Sequence, residues 1–284
     1  MRPLNRKLLR DLWYIRGQVA AIALVIGAGI CAVLMSYSTL DSLQASRAKL
    51  YAEHGFAQVF ASLKRAPESL VGQVRDIPGI GIAETRVIAA ATVSRPTYPD
   101  PIRGLVISAP EGLNRLYLNA GRLPEPRREN EIVLGEAFAT AHKIQLGDHL
   151  ALTLRGKRIN PRVVGIALSP EYIYQAGPGD ILPDIKRFAI IWMDREPLSM
   201  ALDMDGAFND LIATIAPAPD LSLTSRTHTQ SVLEQLDLLL ARWGGLGSFD
   251  REDQQSHKFL SLEFEQLQHM GRMFSFIFLG ILAF

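Results

Sequence analysis

The chain has 284 residues, a formal net charge of +1 and 21% charged residues. That balance, with no basic and aromatic cluster beyond the first stretch, excludes a polyanion binder and a disordered acidic tail, so nucleic acid is not an expected partner. Its single cysteine, Cys31, leaves no intramolecular disulfide, so an exported domain must be held by its core alone.

Residues 1–18 carry Arg2, Arg6, Lys7, Arg10 and Arg16 against the one acid Asp11. Leu4, Leu8, Leu12 and Ile15 fall at helical spacing with Trp13 alongside, the pattern of a leader lying in the membrane interface; a plain charged flank that stops translocation reads the same way. Residues 19–40 come next, with no charge from Val19 to Met35. As a helix they reach roughly 33 Å, enough to cross a bilayer core of about 30 Å. A buried core helix would be shorter and would show a polar face. A cleavable signal needs a better small-x-small site than Ser36-Tyr37-Ser38, and a lipoprotein signal needs a small residue where Ile30 stands. The basic flank predicts a cytoplasmic N-terminus and an outer location for the residues after Leu40. Ala23, Gly27 and Cys31 repeat small residues every four positions, a face that lets membrane helices approach closely, although Ala- and Gly-rich spans produce such spacing by chance.

Residues 41–55 continue as a helix to a break at Gly55. Residues 56–250 read as an α+β domain. Strands are expected at Phe56–Leu63, Ile82–Val93, Arg103–Ser108, Glu131–Leu134, His149–Leu154, Phe188–Met193 and Asp210–Ile215, with Arg162–Leu168 as hairpin partner of His149–Leu154. Helices are expected from Pro67 to Ile77, over Glu136–His142 and over Ser231–Trp243 closed by Gly244-Gly245. Strand, helix, strand, strand over the first part predicts a small antiparallel sheet with a helix on one face. Residues 251–272 form a returning helix with Leu260, Phe264, Leu267 and Met270 at helical spacing, and 273–284 read as the start of a second membrane helix, cut short. The helices at 41–55 and 251–272 form a stalk, or else pack separately on the domain.

Residues of catalytic type lack the required spacing. There is no phosphate-binding Gly-rich lysine loop, no G-x-S-x-G elbow and no H-E-x-x-H, and the six histidines are scattered. No cofactor or metal is expected. Aligning Asp203-Met204-Asp205-Gly206 as a calcium loop puts Ala201 and Ile212 where carboxylates are needed, so the aspartates read as a turn and a helix cap. Glu171, Tyr172 and Tyr174 offer either a surface pocket or, the simpler reading, a loop edge. An enzyme is not expected.

Several stretches carry a resemblance: GRLPEPRRENEIVLGEAFATAHKIQLGD (121–148), VVGIALSPEYIY (163–174), GPGDILPD (177–184), RFAIIWM (187–193), DMDGAFND (203–210) and DQQSHKFLS (253–261). With the leader, span and returning helix, the chain resembles the N-terminal portion of an FtsX/MacB-like ABC transporter permease, of the type VII family and its large branch with duplicated core domains. Ser169, Pro170, Glu171, Tyr172, Ile173 and Tyr174 with Gly177, Pro178 and Gly179 are the more specific motif loop. The resemblance implies a bacterial inner-membrane subunit whose stalk carries a periplasmic core domain. That domain has a porter-like part at Phe56–Ser108 and a second mixed β part from about Leu113. It implies a separate ATPase, a second permease copy, an adaptor protein, the bilayer around the span, and a lipophilic or lipoprotein-type substrate moved without catalysis by this chain. With later spans missing, the chain alone is not expected to transport. A membrane-anchored sensor domain is the alternative that shares the leader, span and outer domain.

Overall fold

The computed structural model describes residues 13–95, 98–177, 179–180, 182–217 and 225–283. The interface reading of the leader rests mostly on residues 1–12, which lie outside them. The chain divides into two units, one of Met1–Lys49 with Leu260–Phe284 and one of Leu50–Phe259.

Helix α1 (Arg16–His54) joins the expected span and the segment after it without a break. It contains no proline and only isolated glycines, so nothing interrupts its hydrogen-bond ladder until Gly55 turns the chain at φ +61. Among the described residues it is the one helix long and apolar enough to cross a membrane, and only 6% of its most apolar window is buried. A soluble core helix of that hydropathy would be covered by protein, so its length, composition and exposure fit a membrane span.

In the second unit, β1 (Val59–Pro67) alternates as its pattern demands. Val59, Ala61 and Leu63 enter one cluster, and Phe60 enters another on the opposite face. The strand starts later than expected, because Phe56 and Ala57 are buried in the turn that leaves α1. The short α2 (Leu70–Arg75) buries Leu70 and Val74 and leads to β2 (Ile80–Arg86). The expected single strand Ile82–Val93 is in fact two. The chain leaves β2 at Val87 and begins β3 (Ile88–Arg95) in a different sheet. The expected small sheet within Phe56–Ser108 is therefore not contiguous in sequence.

The sheet entered at β3 is mixed and eight-stranded. It takes in β4 (Tyr98–Ser108), β5 (Tyr117–Gly121), β6 (Glu131–Gly135), then, after helix α3 (Glu136–Ala141), β7 (Ala151–Leu154), β8 (Lys157–Ile159), β9 (Arg162–Leu168) and β10 (Phe188–Met193), in the order β5-β9-β6-β10-β4-β3-β7-β8. Every residue of β10 is buried: Ala189, Ile191 and Met193 point into one cluster, and Phe188, Ile190 and Trp192 into the other. The hairpin expectation is corrected here. β7 turns back into β8 through Arg155-Gly156, and β9 runs parallel to β6, because a two-residue turn closes a hairpin before Arg162 is reached.

Helix α4 (Arg195–Ala201) leads out of this sheet, and Asp203 takes φ +55 in the turn after it; Asp205 caps no helix, since strand β11 (Ala207–Ile215) comes next. Helix α5 (Ser225–Leu240) and strand β12 (Gly245–Asp250) complete the unit. The first sheet has the order β12-β1-β11-β2, all neighbours antiparallel, with Leu70, Val74, Val232, Leu236 and Leu240 of α2 and α5 in one cluster with it. This is a split β-α-β pair, and the eight-stranded sheet is inserted between its halves. The returning helix α6 (Gln255–Ala283) closes the chain; in the first unit its Gly271 approaches Ser36, and Phe264 lies under the Arg47 guanidinium at 4.8 Å.

Two glycines, Gly121 at the end of β5 and Gly156 in the β7–β8 turn at the opposite edge, report on this topology. A Cβ at Gly121 (φ +77) would lie 2.1 Å from the Val164 carbonyl oxygen, whereas at Gly156 (φ +83) it would meet nothing within 4 Å. Gly156→Ala should cost only the left-handed backbone penalty of about 1–2 kcal/mol, and Gly121→Ala measurably more in the same urea titration, since backbone must move. Nearby, Glu131 accepts from Arg122 at 2.8 and 2.7 Å and from the Glu125 N–H at 2.9 Å. The Arg122 guanidinium, against the opposing effect of burial, lowers the Glu131 pKa to about 2. Its unfolded value is about 4.3, so the pair's stabilisation is complete above that pH and is lost as pH falls toward 2. The melting temperatures of the native chain and Glu131→Gln should accordingly differ at neutral pH and converge in that acid window.

Candidate functional site

Behind β9, Ser169 accepts the Glu171 N–H at 3.2 Å and Pro170 opens a single 3-10 turn, Pro170–Tyr172. That turn aims the Glu171 carboxylate at Arg86, the last residue of β2. Arg86 donates through both terminal nitrogens to Glu171 (Nη2 to Oε1, 3.0 Å) and through Nε to Asp210 Oδ1 of β11 at 2.8 Å. Ser62 of β1 donates to the other Asp210 oxygen at 3.0 Å. The three charged residues are only 4–6% exposed. Burial pulls the Arg86 pKa down, but Asp210 and Glu171 outweigh it and hold the guanidinium charged. Burial pushes Asp210 upward against the pull of Arg86, and burial with the Glu171 charge raises the Tyr172 phenol.

Two extensions lead from this cluster. Asn114 donates to Glu171 Oε2 at 2.6 Å while its side-chain oxygen accepts the Ala57 N–H at 2.8 Å. Its own N–H reaches the Gly55 carbonyl at 2.9 Å, and the next N–H, of Arg115, reaches that of His54 at 2.8 Å. The Glu84 carboxylate fixes the loop before it by accepting the N–H groups of Glu111, Gly112 and Leu113 at 2.9, 3.0 and 2.7 Å. On the other side, Gln254 donates to the Glu171 carbonyl at 2.8 Å and accepts the His257 N–H at 2.8 Å. Ser256 accepts the Tyr174 N–H at 2.9 Å, and the Tyr174 ring stacks on Phe259 at 3.7 Å. The last residues of α1 and the first turn of α6 thus share one hydrogen-bonded network. At the strand crossing, the Asn209 amide bonds both the N–H and the carbonyl of Ile88, at 2.8 and 2.7 Å.

A cavity of about 510 Å³ opens beside the network, with Arg86, Glu171 and Asp210 on its wall together with apolar and aromatic side chains. Among the described residues, no group of three His, Cys, Asp or Glu side chains is arranged to hold a metal ion. The two carboxylates are committed to Arg86, Ser62 and Asn114, the chemistry of a joint rather than of an acid and base pair.

The motif loop divides. Ser169 to Tyr174 lie together at this junction, and Glu171 is buried, which overturns the loop-edge reading. Ile173 packs on the cluster of Tyr51, Phe56 and Phe60. Gly177 accepts the Asp180 N–H at 2.9 Å, and Asp180 pairs with Arg103, a separate contact near exposed Gly179 (φ +86). Pro178 lies outside the described residues. On α1, Ala23, Gly27 and Cys31 are exposed and a Cβ at Gly27 would meet nothing within 4 Å, while Ile26, Gly29, Val33, Ser36 and Leu40 form the more covered face. Sequence reasoning missed Arg86, Asn114 and Asp210. Asp210 stood in the quoted DMDGAFND and Gln254 in DQQSHKFLS, but nothing in Arg86 or Asn114 marked them.

No protein-family model matches the chain, and no curated protein matches its sequence. Among solved structures it is similar to the periplasmic region of MacB from Actinobacillus actinomycetemcomitans, with 10% identity, a TM-score of 0.43, and 76% of this chain and 95% of that one covered. It is also similar to the extracellular domain of the noncanonic ABC-type transporter YknZ from Gram-positive bacteria, with 8% identity, a TM-score of 0.40, and 68% and 98% covered.

Removing Arg86 strands two buried carboxylates. Arg86→Met should cost about 3–5 kcal/mol in chemical denaturation. Arg86→Lys should fall between it and the native chain, because an ammonium cannot fork to both partners.

Proposed function

We propose that the chain acts as the permease subunit of an FtsX/MacB-like ABC transporter, with its N-terminus cytoplasmic and the unit Leu50–Phe259 outside the cytoplasm. A separate ATPase closes on nucleotide, and α1 and α6 carry that movement to the outer domain. The observation that carries this reading is the Glu171 network. It bonds the outer ends of both long helices to both sheets, so a displacement of either helix end must be felt at the strand crossing. The quoted sequence motifs support the family. The exposed Ala23, Gly27 and Cys31 face is open to another membrane helix, in keeping with a second permease copy and further spans. An adaptor on the outer domain and a lipophilic or lipoprotein-type substrate complete the proposal.

Two measurements test it. Alkaline phosphatase fused after residue 55 should be active and a fusion within the leader inactive; the reverse pattern sinks the orientation. Affinity purification from native membranes should bring down an ABC ATPase whose turnover rises in the complex. A chain that isolates with no nucleotide-hydrolysing partner would overturn the transport reading.

A further inference from the structure

We propose that the cavity at the crossing between the two sheets is a binding site for a lipophilic monovalent cation. Its volume of about 510 Å³ is that of a small-molecule site. Its wall is largely apolar and includes Phe60 and Phe249, whose rings stack at 5.5 Å and 14°, together with Tyr174 and Phe188. On β12, Leu246 is 74% exposed and Phe249 is 37% exposed, so part of the apolar lining is open to solvent.

The charge of the wall chooses the sign of the ligand. With both carboxyls ionised, Glu171 and Asp210 bring two negative charges against the one positive charge of Arg86, the only cationic side chain among the described residues lining the cavity. Its Nε, Nη1 and Nη2 all donate to the two carboxylates, so it has little left to offer an anion. One negative charge is left uncompensated in a low-dielectric pocket. A neutral ligand leaves it so, an anion meets repulsion, and a cation supplies the missing charge against aromatic faces that also favour it. Ser62 and Asn114 hold the carboxylates in place through hydrogen bonds and add no charge.

Tetraphenylphosphonium and tetraphenylborate have nearly the same size and shape and opposite charge, which makes them the probes. Equilibrium dialysis of each against the purified full chain in detergent, with empty micelles subtracted, should show the phosphonium bound at least about tenfold more tightly. Asp210→Asn leaves Arg86 and Glu171 balanced and should weaken phosphonium binding about tenfold while leaving the borate unchanged or stronger. Phe249→Ala, on an exposed edge strand, should also weaken the phosphonium, and it decides alone if Asp210→Asn does not fold by circular dichroism. Equal binding of the two ions, or phosphonium binding that neither substitution changes, overturns the proposal. The site does not rest on the transport reading: loss of ion binding leaves an associated ATPase in place, and absence of the ATPase leaves the ion bound.

Discussion

Arg86 occupies a position from which one side chain reaches both sheets of this domain. It ends the outer strand of the four-stranded sheet, two residues before the chain enters the eight-stranded one. From there its guanidinium reaches β11 in its own sheet through Asp210 and the turn behind β9 of the other sheet through Glu171. The planar fork fixes the direction of both bonds, as a point charge would not. An apolar contact of the same area could stabilise the domain as well, but it would tolerate sliding. Buried ionic groups are weak evidence for stability, and their established use is in fixing register. Arg86 is placed to bridge the two sheets at their crossing.

The rest of the junction depends on that fixed point. Asn209 bonds both backbone groups of Ile88, so the first residue of β3 cannot drift from β11. Val87 and Ser108 bond each other at the same level. Farther out, Arg195 pairs with Glu68 and bonds the Thr85 carbonyl, a second tie between the two sheets. Asn114 and Gln254 then extend the network to the two helix ends. The cavity beside Arg86 lies at this junction.

Much of this organisation was legible in the residues. The apolar span, the break at Gly55, the strand at Phe188–Met193, and the helix ended by Gly244 (φ +72) all stand about where local pattern puts them. SPEYIY and GPG were legible as a motif, yet not as two separate contacts. Glu171 was the instructive failure. A carboxylate between a proline and a tyrosine in a loop reads as solvated, and only the arrival of Arg86 and Asn114 makes its burial tolerable.

What the sequence determined by itself is whatever a side-chain period can encode: an uncharged stretch long enough for a bilayer, strands of period two, helices of period 3.6, and breaks at glycine and proline. Those signals act between neighbours. The tertiary structure decided which sheet each strand joins, that Ile82–Val93 splits at Val87, and that Arg86 meets partners 85 and 124 residues away. The Val and Thr pattern of that stretch suits a strand on both sides of the break. What breaks it is competition among distant strands for edges and for burial, settled only when the whole chain is packed.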